Sequence, residues 1–182
     1  MTPRDGMLLK VLNHFRVLNR CQVEKMIFPN LKSATQTANR VLKRLERDGY
    51  ILQIPQRRDK PYIYMPNPAK MHHQSSKLEH FLGLADIYLQ FGKPVTFEIE
   101  PDICEAYRPD AYMVFKDRHI LIEYQRTTIS QKKMQDKVNR FMEAYTQGRH
   151  KCRELCIVSN YKYNVTHPKG FAVHQLQKDP GA

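Results

Sequence analysis

The residues best suited to chemistry in this sequence are two carboxylates in its second half. Arg108-Pro109-Asp110-Ala111 leads into one strand-like run, and Ile122-Glu123-Tyr124-Gln125 ends the next. Lys116-Asp117-Arg118 lies between the runs and reads as a tight turn. An antiparallel pair joined by that turn brings Asp110 and Glu123 side by side. Two carboxylates so placed form an oxygen-rich seat for Mg²⁺, which prefers carboxylates, waters and phosphate oxygens. A metal held there polarises a phosphodiester and lowers the pKa of an attacking water.

A second set of residues is suited to reading DNA. Gln36, Asn39, Arg40 and Lys43 are spaced i, i+3, i+4 and i+7, so a helix presents them on one face. Asn and Gln pair bidentately with adenine, and Arg with guanine. Thr35 sits near the start of that helix, where a phosphate or a thymine methyl is met. Arg44 and Arg47 extend the basic side. Arg57, Arg58 and Lys60 form a basic turn further on, suited to an adjacent phosphate or the minor groove.

Both sets need elements to hold them. Apolar residues at 7, 8, 11, 12, 15 and 18 predict a helix over Met7 to Leu18, and Gln22 to Phe28 fits a shorter one. Ser33-Ala-Thr-Gln36 is a capping-box pattern. It opens a helix over 34–47 whose inner face is Ala34, Ala38, Val41, Leu42 and Leu45, closed by Asp48-Gly49. Tyr50 to Pro55 and Pro61 to Met65 read as strands flanking the basic turn. Three helices and a hairpin with a charged tip are the order of a winged helix-turn-helix domain, over residues 1–65.

Residues 66–76 are polar, with two prolines, and read as a linker. Residues 77–182 form the second domain. Lys77 to Phe91 is a helix, followed by strands over Val95 to Glu100, Ala111 to Phe115 and His119 to Tyr124. A helix over Gln131 to Gln147 turns Met134, Val138, Phe141, Met142 and Tyr145 inward. Glu154 to Ser159 is a strand, and Gly170 to Leu176 a further one. The fold class is α/β (α+β overall): a winged helix-turn-helix, then a small αβββαβ restriction-endonuclease-like domain.

That order and those acids resemble the PD-(D/E)XK nuclease fold, whose signature is Pro-Asp, a spacer, then acid-x-Lys. The resemblance implies Asp110 and Glu123 as metal ligands, with Glu79 on the first helix as an additional acid and Glu98 and Glu100 as others. This chain has Gln125 where the signature has Lys. Gln holds a water by hydrogen bonding but carries no charge. Some nucleases of this fold use Gln there, or take a lysine from the following helix, where Lys133 and Lys137 stand one turn apart. The implied catalytic set is Asp110, Glu123, Gln125 and Lys137. Nearly the whole chain, with Arg-Pro-Asp-Ala, Ile-Glu-Tyr-Gln-Arg-Thr-Thr and Lys-Val-Asn-Arg-Phe-Met-Glu-Ala-Tyr, resembles the replication-relaxation family of plasmids and mobile elements. That resemblance implies a bacterial DNA-binding protein acting in replication or DNA relaxation.

Composition agrees with a polyanionic partner. The chain has 182 residues and a formal net charge of +12. Residues 1–65 hold 13 Lys+Arg and 5 Asp+Glu, so +8, and residues 66–182 hold 17 and 13, so +4. A solubility surplus would spread more evenly. No run approaches a membrane span, and the N-terminus lacks a signal-peptide order, so a cytoplasmic protein is expected. The four cysteines, Cys21, Cys104, Cys152 and Cys156, suggest neither a disulfide framework nor zinc. Seven glycines without a phosphate loop argue against an NTPase. No Ser or Cys nucleophile constellation is present.

With Gln125 replacing the lysine, the expectation is double-stranded DNA binding by a protein whose nuclease-like domain no longer cuts, with no certain cofactor. The alternative is a Mg²⁺-dependent endonuclease or nickase using Asp110 and Glu123, and the third reading is a protein-binding adaptor. A winged helix reading a palindrome is expected as a homodimer, although no self-association stripe is evident.

Overall fold

The computed structural model describes residues 1–56, 60–69, 71–72, 74–103 and 107–177. The chain divides into two units, one spanning Met1–Gln90 and one from Phe91 onward.

The first unit opens with α1 (Pro3–Phe15). Its start lies four residues ahead of the expected Met7 because Thr2 caps it. The Thr2 hydroxyl accepts from the Asp5 N–H, and the Asp5 carboxylate accepts from the Thr2 N–H. Arg16, with φ 66°, ends the helix. Leu18 therefore leaves the expected helix and joins β1 (Leu18–Asn19). The buried stripe is Asp5, Leu8, Leu12 and Phe15, while Met7 is exposed. Asn19 and Gln22 form a second capping box, which starts α2 (Arg20–Ile27) earlier than apolar spacing suggested.

The helix α3 (Ala34–Arg47) has the expected bounds, and Ala38, Leu42 and Leu45 are buried. Its expected cap does not form: Ser33 makes no side-chain capping bond, and its ψ of 45° departs from the extended backbone of a capping residue. Gly49, at φ 78°, closes α3 as expected. The strands β2 (Ile51–Ile54) and β3 (Ile63–Pro66) pair antiparallel, and β1 adds to β3, giving the order β1-β3-β2.

α4 (Leu78–Gln90) belongs to this first unit. The division after Gln90 differs from the expected linker at 66–76. Phe81, Leu82, Leu84, Ala85 and Ile87 are buried, too broad a surface for a solvent-facing helix. It packs on α1, α2 and β1. The Gln22 amide donates to the Leu82 carbonyl at 2.8 Å and to Asp86 at 2.5 Å, and the Arg16 guanidinium lies 4.5 Å from the Phe81 ring centroid.

The second unit is one five-stranded sheet with a helix. Its strands are β4 (Thr96–Ile99), β5 (Ala111–Phe115), β6 (Arg118–Gln125), β7 (Glu154–Ser159) and β8 (Ala172–Gln177), adjacent in that order. β4, β5 and β6 run antiparallel, whereas β7 is parallel to β6, and β8 to β7. Lys116 and Asp117 both take positive φ, 49° and 61°, the conformation that a two-residue hairpin turn requires. α5 (Gln131–Thr146) connects β6 to β7, as a parallel pair demands. Its buried face is Met134, Val138, Phe141 and Ala144, packed with Leu121, Leu155, Ile157 and Tyr163. Met142 only borders this core, because Ala144 rather than Tyr145 continues the stripe.

Candidate active site

The hairpin puts the two acids together. Ala111 pairs with Ile122, and the Asp110 N–H donates to the Ile122 carbonyl at 3.0 Å, so the ladder continues to the Asp110 and Glu123 positions. Asp110 is fixed twice more. Its Oδ2 accepts from the Tyr124 N–H at 2.7 Å, and its carbonyl accepts from the Glu100 N–H at 2.9 Å. Glu100, held at φ 45°, thus serves through its backbone, while Glu98 is an exposed residue of β4.

Glu123 is 3% exposed. Burial pushes its pKa up, the Asp110 charge pushes it further, and the carboxyl stands at about 7 despite the opposing effects of Lys137 and Gln125. The Lys137 ammonium donates to Glu123 Oε1, and the Gln125 amide donates to the same oxygen at 2.9 Å. Gln125 lies two residues beyond Glu123 on the strand and so shares its face. Lys137 reaches over from α5, flanked by the buried Met134 and Val138 that seat the helix. Lys133, a turn earlier, is exposed, and its N–H is held by the Ser130 cap. Asp110, Glu123, Gln125 and Lys137 therefore converge. Glu79 lies in the first turn of α4, in the other unit.

Tyr107 was absent from the expected set. It is buried, and its phenol is pushed well above its ordinary pKa by burial first and then by the charges of Glu123 and Asp110. Its place three residues before Asp110 was the available signal, but the sequence does not show that the chain turns it inward.

The donor set suits a small hard cation. Two carboxylates whose mutual repulsion raises a pKa gain most from a positive charge between them, and Mg²⁺ completes its shell with water and phosphate oxygens. Among the described residues there is no cluster of three or more His, Cys, Asp or Glu placed to hold a metal. A seat of this kind therefore rests on Asp110 and Glu123.

In the first unit, Gln36, Asn39, Arg40 and Lys43 are all exposed on α3, and Lys60 is exposed too. Arg57 and Arg58 lie outside the described residues. Thr35 Oγ1 donates to Glu24 at 3.0 Å. Arg44 is not a free basic residue: it donates to Asp5 at 2.6 Å, and this contact is the largest cause holding the buried Asp5 carboxyl down at about 2. It faces α1 because it lies one helical turn beyond Arg40 toward the buried stripe.

A five-stranded mixed sheet, a helix linking its parallel strands and a carboxylate pair at the open end of the β5–β6 pair, away from its turn, define a nuclease-like domain. Residues 71–178, more than half of the chain, match the family described as competence protein CoiA, nuclease-like domain, and the chain belongs to that family. The matched segment begins ahead of α4. The matched family is thus a different one from the replication-relaxation family that the motifs resemble. No curated protein and no solved structure matches the chain. No helix among the described residues is long and apolar enough to cross a membrane.

Proposed function

We propose that this protein binds duplex DNA through its first unit and cuts DNA with a divalent-cation-dependent site in its second. The observation that carries the nuclease reading is the Lys137 ammonium on the Glu123 carboxylate, beside Asp110 and Gln125. It supplies from α5 the positive charge that Gln125 lacks. The expectation of a non-cutting domain rested on that missing charge.

A cation bound by Asp110 and Glu123 would polarise the phosphodiester and acidify a water. The protein's own groups set the stage for this. The Tyr124 N–H orients Asp110. Gln125 and Lys137 orient Glu123, and the Gln125 amide can hold a water on the same face. Lys137, about a third exposed, can turn its charge toward the developing negative charge of the phosphate.

The first unit is read as a winged helix-turn-helix. Its order α1-β1-α2-α3-β2-β3, the small sheet and the exposed face of α3 support that reading. A role in plasmid replication or relaxation is the narrower form of the proposal.

The test is conversion of supercoiled plasmid in Mg²⁺ or Mn²⁺. Nicked or linear product is expected, with loss of at least 100-fold in Asp110→Ala and in Glu123→Ala. Cutting that persists in both variants would place the chemistry elsewhere. No cutting by the parent across metals and DNA forms would return the domain to a binding role.

A further inference from the structure

The C-terminal ends of β7 and β8 carry a feature that the carboxylates do not use. Tyr161 lies two residues beyond β7 and is 52% exposed. Its ring stands edge-on to Tyr163, with centroids 4.9 Å apart and the planes at 69°. Tyr163 is buried, and its hydroxyl accepts from the Ile129 N–H at 3.2 Å. The Gln175 side chain clasps the Tyr163 backbone, accepting from its N–H and donating to its carbonyl, both at 2.7 Å. The Ser159 hydroxyl donates to the Tyr161 carbonyl and accepts from the Tyr161 N–H at 3.3 Å. A large aromatic ring is thus presented to solvent from a segment fixed on both sides.

Beside the ring is a cleft of about 270 Å³ lined by Ser159, Asn160, Tyr161, Lys162, Gln175 and Gln177, with Leu176. It is smaller than ordinary small-molecule pockets and of a size for one planar ring system. Asn160 and Gln177 offer amide donors and acceptors, and Lys162 offers a cation.

The strand register sets this cleft next to the carboxylates. Glu123 pairs with Ile157, Gln125 with Ser159, and Ser159 with Gln177. Ser159 is therefore one strand across and two residues along from Glu123, roughly 8 Å by ordinary strand spacing. Paired residues point to one face of a sheet, so Glu123, Gln125, Ser159 and Gln177 share theirs. That distance is within the reach of one extended nucleotide.

We propose that this cleft is a subsite for an unpaired nucleobase of single-stranded DNA, with Tyr161 as its stacking platform and Lys162 as a phosphate contact. It takes its place in a reaction from the nuclease reading and extends that reading by naming the form of the substrate. A base inside a duplex is already stacked on both faces, whereas an unpaired base gains from an aromatic ring and pays no unpairing cost.

The chain contains no tryptophan, so a Tyr161→Trp variant carries a single indole. The full chain is titrated in EDTA, where cutting is silent, with an oligothymidylate and with a duplex of equal length. The single strand is expected to quench the indole emission several-fold more than the duplex. Tyr161→Ala is expected to weaken binding of a labelled oligothymidylate about 10-fold, and Tyr161→Phe to preserve it. Unchanged single-strand affinity in Tyr161→Ala, or equal quenching by the duplex, overturns the subsite. Adding Asp110→Ala to the Tyr161→Trp chain should leave the quenching intact. Quenching without cutting of either plasmid or single-stranded DNA by the parent in Mg²⁺ or Mn²⁺ would therefore sink the nuclease reading alone.

Discussion

Asp5 in the first unit and Glu123 in the second are both buried carboxylates held by a basic side chain from another element, yet their pKa values move in opposite directions. Asp5 is 1% exposed, accepts from Arg44 and Thr2, and falls to about 2. Glu123 is 3% exposed, accepts from Lys137 and Gln125, and rises to about 7. The difference lies in the neighbours. Asp5 sits in a helix cap, where backbone and side-chain donors add to the cation. For Glu123 burial is the dominant influence and a second carboxylate, Asp110, adds to it, so one ammonium does not compensate it. The first arrangement is a structural ion pair. The second is short of positive charge, which is the condition a bound cation relieves.

The largest effect that separates the two is on Lys137. If its ammonium supplies the missing charge, Lys137→Ala should lower plasmid cutting about 10²–10³-fold, while the fold, read by circular dichroism, survives. Lys133→Ala, on the same helix and exposed, should change cutting less than 3-fold. Equal losses in the two variants would show that general basicity, not the contact with Glu123, matters.

The next effect is on stability. The folded protein keeps a proton on Glu123 that the unfolded chain releases near pH 4.5. Stability therefore falls as pH rises from about 4.5 to about 7, by up to about 3 kcal/mol, and levels off above that. Urea unfolding at pH 5 and pH 8 measures it. Mg²⁺ at pH 8 should restore part of the loss, and Glu123→Gln should flatten the slope. A flat profile in the parent would mean that Glu123 stays charged throughout.

These contrasts were legible in the sequence to different degrees. Strand bounds at Ala111–Phe115 and Glu154–Ser159, and the α3 bounds, followed from local periodicity and turn chemistry, which the neighbouring residues carry. The meeting of Asp110 with Glu123 followed from one hairpin. Lys137 was nameable only as one of two lysines, because the rotation of α5 against the sheet is set by Phe141 and its packing partners. The place of α4 with the first unit was not legible: Gln22 and Arg16, which hold it, lie far away in sequence. The capping boxes at Thr2 and Asn19 decide the starts of α1 and α2, whereas the Ser33 pattern matches a box that does not form. Arg44 looked like one more cation on a basic helix because its partner is on α1.

A smaller effect tests the outward face of α3. Arg40→Ala should weaken a cognate duplex about 10-fold and random duplex far less, as measured by fluorescence anisotropy. Equal weakening of both would assign Arg40 to phosphate contact and remove base reading from this helix.

The smallest effect belongs to Arg44, four residues from Arg40 on the same helix. Its guanidinium is committed to Asp5, so Arg44→Ala should leave the salt dependence of duplex binding unchanged and lower the melting temperature by roughly 5 °C at pH 7. Asp5 has a folded pKa below its ordinary value of 3.8, so the stabilisation is complete above that pH and is lost as pH falls through about 2. The melting difference between parent and Arg44→Ala should therefore be widest near neutrality and close as acid protonates Asp5. A shallower salt slope with no change in melting would reverse the assignment. Arg44 would then stand with Arg40 as a DNA contact, and the contrast between an inward and an outward arginine on α3 would collapse.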